Sequence, residues 1–322
     1  DLAAFLPDLI DRAVAAQAAQ PAPLRPTGPF PREAQRALGE TVMRALGFDF
    51  EHGRLDVSLH PFCGGVAEDV RITTRYDEAD FASALMGVIH ETGHALYERG
   101  LPAAWRRQPV GQARSMSVHE SQSLFWEMQV ARSRPFLAWL APHLARTFGA
   151  DTGAWTPDNL HRLWTRVRPG FIRVEADEAT YPAHVILRYR LEKAMVVGDL
   201  EVRDLPAAWN EGMHAMLGLV PPSDREGCLQ DIHWFDGAWG YFPTYTLGAI
   251  AAAQLFEAAA RALPDLAGLI ERGEFAPLRE WLGEAVHARA ASLPTRDLLI
   301  AATGRPLDPA VFRRHLEARY LA

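Results

Sequence analysis

Residues 87–100 read GVIHETGHALYERG, and no other stretch constrains the chain so tightly. On an α-helix His90 and His94 stand one turn apart on one face and can share a zinc ion. Glu91 is rotated by about 100°, which brings it beside a bound water without ligating the ion. The flanks support a helix over 79–98: Asp77 and Asp80 offer N-terminal caps, and Gly100 and Pro102 are stop signals. Leu85, Val88, Ile89, Ala95 and Leu96 surround the motif, and polar groups are costly to bury among such neighbours without a partner. A metal accounts for the pattern better than three chance polar residues on an exposed face.

Two histidines leave such a site incomplete, because catalytic zinc takes three protein ligands and keeps one position for water. The stretch SMSVHESQSLFWEMQ at 115–129 offers the third from a second helix, capped by Ser115 or Ser117. Glu120 is the first choice and His119 the alternative, either as ligand or as a residue orienting one. Cobalt or manganese can also satisfy two His and one Glu.

The rest of the chain predicts a mainly α protein with a small sheet. Ala, Leu, Arg and Glu dominate, and apolar residues recur at helical spacing over 3–18, 31–46, 116–140, 158–167, 178–197, 204–217, 244–262, 276–291 and 308–320. Strand-type runs occur at 54–60 and 69–76. With 322 residues, 48% of them hydrophobic, the chain can bury a sizeable core. Lys and Arg total 33 against 40 Asp and Glu, with no basic stripe, so nucleic acid is not an expected partner. Cys63 and Cys228 are too few for a disulfide framework and fit a reducing cytoplasm as small buried hydrophobes. No apolar run approaches the ~20 residues of a membrane span, and the first residues carry acids where a secretory signal carries bases.

Six segments in order carry a family resemblance: HPF (60–62), DVRIT (69–73), HETGHALYERGLP (90–102), HESQS (119–123), IRVEAD (172–177) and GCLQDIHW (227–234). From about residue 50 to the C-terminus the chain resembles the carboxypeptidase Taq family of zinc-dependent, mostly helical metallocarboxypeptidases. The resemblance implies a multi-helix fold with a small sheet next to a central groove. It implies zinc on His90, His94 and Glu120, Glu91 as the base, substrate contacts from Arg173, His233 and Tyr245, and a homodimer. Members carry a longer helical region before the zinc motif, whereas 89 residues precede His90 here. Residues 1–50 are therefore expected to form a shortened helical region with a Pro-rich connector, and 51–322 the catalytic domain, with a less fully covered groove.

A carboxypeptidase acts on peptides with a free C-terminus, and a guanidinium recognises a carboxylate with paired bonds. Arg173 is the foremost candidate, pairing with Glu175 or Asp177 being its structural alternative, and Arg71 is the second. His233 and Tyr245 can donate to a developing oxyanion. Tyr241 is divided between substrate contact and packing. Asp69 and Asp177 are candidates for orienting the ligand histidines, and His60 for a structural role. Two other functions compete with the carboxypeptidase: an open-groove oligopeptidase or endopeptidase, and a non-catalytic zinc-stabilised scaffold.

Overall fold

The computed structural model describes residues 2–59, 61–149 and 153–321. Helices α1 (Leu2–Ala18) and α2 (Arg32–Leu46) precede three strands, β1 (Gly53–Val57), β2 (Phe62–Val66) and β3 (Asp69–Thr74). The long helix α3 (Phe81–Gly100) follows, then α4 (Met116–Leu124), which continues as a π-helical segment over Phe125–Ala131. Next come α5 (Arg134–Phe148), α6 (Pro157–Trp164), α7 (Tyr181–Val197), α8 (Leu205–Leu217) and α9 (Pro243–Ala262). The last helices are α10 (Leu266–Glu271), α11 (Ala276–Ala285), α12 (Thr295–Thr303) and α13 (Pro309–Tyr320). The protein is mainly α with one small sheet, as its periodicity predicts.

Two compact units interleave along the chain. The first comprises residues 1–22, 165–247 and 309–322, and within it α1 packs against α7, α8 and α13. The second comprises residues 23–164 and 248–308, so residue 50 falls inside it. Its core gathers Leu38 and Val42 of α2, Leu85 and Ile89 of α3, Phe125 and Trp126 of the π segment, and Phe136 and Leu140 of α5.

The sheet supports α3. β3 is central, parallel to β1 with Gly53 opposite Val70, and antiparallel to β2 with Cys63 opposite Ile72. Strand alternation sends Val70 and Ile72 to one face, where with Leu55, Met43 and Phe48 they pack against Val88 and Ala95 of α3. Arg71 falls on the other face, exposed.

Three expectations change. The helix expected over 116–140 is two helices, because Ser133 caps a new start by accepting from the Phe136 N–H and Pro135 sits in the first turn that follows. The β2 strand was not anticipated, since its two glycines read as a turn, and short α10 and α12 escaped the periodicity argument. Cys63 is only partly buried, whereas Cys228 is buried, and both are free thiols.

Candidate metal centre

The motif helix starts where its cap dictates: the Asp80 carboxylate accepts from the Ala82 and Ser83 N–H groups. Ser115 does the same for α4, accepting from the Val118 N–H. The contacts His90–Glu127 and Glu98–His119 run in opposite chain directions, so α3 and α4 are antiparallel. Gly93 permits their approach. A Cβ there would lie 2.6 Å from both the Gln122 carbonyl oxygen and the Ser123 Cα, closer than real side chains come. Gly248 of α9 similarly makes room for Glu120, since its Cβ would lie 2.8 Å from the Glu120 Cβ and Cγ.

Three ligand atoms converge as a result. Glu120 Oε2 is 3.4 Å from His94 Nε2 and 3.8 Å from His90 Nε2, and the three residues form a group able to hold a metal ion. Bonds of about 2.0–2.1 Å in a tetrahedral zinc site separate ligand atoms by about 3.3 Å, so the donor set fits such an ion.

The distal nitrogens fix which ring atoms face inward. His90 Nδ1 lies 2.9 Å from Glu127 Oε2, an acceptor, and therefore carries the proton. His119 Nε2 donates to Glu98 at 2.8 Å, which leaves His119 Nδ1 a lone pair 2.6 Å from His94 Nδ1. The His119 carbonyl oxygen is 3.1 Å from the same atom, so His94 Nδ1–H faces two acceptors. Both ligand candidates thus turn Nε2 inward, the atom that binds a metal once it carries no proton. His119 has neither ring nitrogen left over.

Charge follows the same layout. Burial pushes His94 down to about 4, keeping it neutral. Burial also opposes protonation of His90, but Glu120 and Glu127 outweigh it and raise that ring to about 10, so this carboxylate-rich pocket attracts a cation. Glu120 and Glu127 stay below the usual carboxylate range: burial raises each, and the charge of His90 for the first, and its hydrogen bond together with Arg132 for the second, more than offset it. Glu91 is raised, by burial first and then by Glu120 and Glu127, with His90 opposing.

The other candidates lie in the first unit, except Arg71, Asp69 and His60. Arg173 is 4% exposed and each of its guanidinium nitrogens has a partner. Nε and Nη2 donate to Asp231 at 2.7–3.2 Å, and Nη1 donates to the Tyr181 hydroxyl. Arg188 Nε donates to the same carboxylate at 2.7 Å. Two guanidinium groups on one Asp leave an excess positive charge. His233 Nε2 and the Tyr245 hydroxyl are hydrogen-bonded at 3.0 Å, and the Tyr241 ring packs against both residues. Neither Glu175 nor Asp177 is the partner of Arg173. Asp177 instead accepts from the Ala179 and Thr180 N–H groups at the start of α7, and Asp69 pairs with Arg71 at 2.7 Å on the outer face of β3. The expectation that these two aspartates orient the ligand histidines is thereby corrected: Glu127 and His119 stand there. His60 lies outside the described residues.

Residues 1–320 match the family described as Carboxypeptidase Taq (M32) metallopeptidase. The chain belongs to this family. Carboxypeptidase 1 of Bacillus subtilis (strain 168) is 41% identical over 295 residues, covering 91% of this chain and 59% of that protein. Thermostable carboxypeptidase 1 of Thermus thermophilus is 43% identical over 295 residues, 91% of this chain and 58% of the relative. Among solved structures, Trypanosoma cruzi metallocarboxypeptidase 1 superposes with a TM-score of 0.97 at 47% identity, covering 99% of this chain and 67% of that one. The chain spans about 59% of the length of the curated relatives it matches.

Within this member of the carboxypeptidase Taq family, Glu127 is the site residue that the sequence reading missed. Its α-helical spacing from Glu120 was no guide, because the chain changes from α to π at Phe125 before reaching it.

Proposed function

We propose that the protein is a metallocarboxypeptidase that holds zinc on His90, His94 and Glu120 and releases C-terminal residues from peptides. The observation that carries this reading is the convergence of two inward-facing Nε2 atoms and one carboxylate oxygen, with Glu91 buried on the same helix within electrostatic reach of them. Cobalt and manganese suit the same donors. When bound, the ion supplies Lewis acidity toward the scissile carbonyl and lowers the pKa of water.

Glu91 acts as the general base. Its raised proton affinity lets it take a proton from the attacking water and pass it to the leaving amine. His233 and Tyr245, already bonded to each other, are hydrogen-bond donors for the oxyanion in this reading. Arg173 is assigned to the substrate's terminal carboxylate. Support comes from the uncompensated charge of the Arg173–Asp231–Arg188 group, since a carboxylate is the anion that completes such a set. Arg71 keeps its assignment as the second guanidinium and Tyr241 as an aromatic substrate contact. A homodimer is carried over from the family resemblance, and a cytoplasmic location rests on the two free thiols.

The test uses a peptide with a free C-terminus beside its C-amidated twin, incubated with zinc-loaded protein and followed by mass spectrometry. Stepwise loss of residues from the free peptide alone is expected. Glu91→Gln is expected to retain the metal and to lose about 10²–10⁴-fold in rate. Internal cuts in both peptides replace the reading with an open-groove endopeptidase. Bound zinc with no cleavage of either replaces it with a scaffold.

A further inference from the structure

We propose that Glu127, anchored by Arg132, is a positioning residue that aims His90 at the metal; the inference rests on the metal reading above. His90 is a clamped ring. Its Nε2 lies 3.8 Å from Glu120 Oε2 while its Nδ1 donates to Glu127 Oε2 at 2.9 Å, so one imidazole is held between two carboxylates seven residues apart. The second carboxylate is itself held. Arg132 Nη2 donates to Glu127 Oε1 at 2.8 Å, and Arg132 Nη1 donates to the Trp164 carbonyl at 2.7 Å. Each Glu127 oxygen therefore has a separate duty, one facing the ring and the other facing the guanidinium.

The carboxylate that reaches the far side of the ring sits on an irregular turn. After Leu124 the chain changes from α to π over Phe125–Ala131, and Glu127 is carried on that segment. The segment is buried on nearly every side: Phe125, Trp126, Gln129, Val130 and Ala131 are all inaccessible. The irregular turn is thus fixed by packing, and the carboxylate with it. A ligand histidine whose far nitrogen is bonded to a carboxylate has one tautomer, one ring orientation and a more basic metal-facing nitrogen.

A merely structural ion pair would stabilise the fold without affecting the metal, and the two cases separate on metal affinity. Zinc dissociation constants would be measured by chelator competition for the parent, Glu127→Gln, Glu127→Ala and Arg132→Lys, with the visible spectrum of the cobalt-loaded forms and thermal unfolding of the metal-free forms. Glu127→Ala and Glu127→Gln are expected to weaken zinc binding by about 10–100-fold and to change the cobalt spectrum. Arg132→Lys, which keeps the charge but loses the two-pronged grip, is expected to show a smaller loss of the same kind, and it carries the test if Glu127 variants do not fold. Parent-like affinity and spectrum in the folded variants, with only the unfolding temperature lowered, overturns the proposal. A parent that binds no zinc or cobalt overturns the metal reading itself.

Discussion

A side chain at residue 93 has no room. The contact of Gly93 with Gln122 and Ser123 is backbone against backbone, so alanine cannot be accommodated by a rotamer change and must push α3 and α4 apart. Overpacking of this kind costs about 1–3 kcal/mol. Here it also spreads the ligand set, because His90 and His94 sit on one helix and Glu120 on the other. Gly93→Ala is expected to weaken zinc affinity by about tenfold or more, and to lower the metal-free unfolding temperature, both checked against parent protein. Parent-like affinity would show that the helices can separate without disturbing the ligands. The residue scale is also where the sequence is most legible. His90, Glu91 and His94 are placed by covalent spacing on one helix, whatever the rest of the chain does. Glu127 is not, because its partner depends on how two helices pair and on a π turn that local spacing does not announce.

At the scale of elements, Asp231 joins the 3₁₀ turn at Arg173–Glu175 to α7, through Arg173 and Arg188. Burial raises its pKa, but the Arg173 hydrogen bond and the Arg188 charge more than offset this and hold it below the usual aspartate range. A lowered folded-state pKa means that the stabilisation is present above the unfolded value, about 3.9, and is lost as pH falls further. His184 on α7 acts in the same direction. Burial and the two guanidinium groups push it down to about 3, so its neutral form loses ground against the protonated unfolded chain as pH falls below about 6.5. Stability is expected to decline from about pH 6.5 downward and more steeply near 4. Asp231→Asn is expected to cost about 3–5 kcal/mol at pH 7 by leaving two buried guanidinium groups without a counter-charge, and to make the step near pH 4 shallower, Glu120 and Glu127 supplying the rest. Denaturant unfolding across pH 3–8 checks both; a variant that keeps the parent's acid profile sinks the assignment. No spacing rule could have supplied this pair, since Arg173 and Asp231 are far apart in sequence, and nearer acids such as Asp177 were the obvious but wrong partners. Elements themselves were legible where apolar periodicity ran long, as in α3 or α9, and illegible where a strand was glycine-rich or a helix had only two turns.

At the scale of the molecule, all three ligand candidates belong to one unit although the chain leaves and re-enters it. A bound ion therefore ties α3 to α4 inside a single core, and its effect is best read locally. An ion that binds only the folded arrangement stabilises it by about 2.7 kcal/mol at a hundredfold excess over its dissociation constant. For amides that exchange only when α3 and α4 separate, that corresponds to about a hundredfold slower exchange. Hydrogen–deuterium exchange with and without zinc is expected to show this slowing in peptides covering residues 81–100 and 116–131, where the ligand candidates and Glu127 lie. Amides that open without disturbing those helices should not gain it. Uniform protection across the chain would mean that opening is global and that the site reports on the whole fold, and no protection in α3 and α4 would place any bound ion elsewhere. The first pattern is favoured by the packing itself, because the sheet and α2 hold one side of α3 while its other side meets α4 through Gly93, the contact most sensitive to a shared ligand.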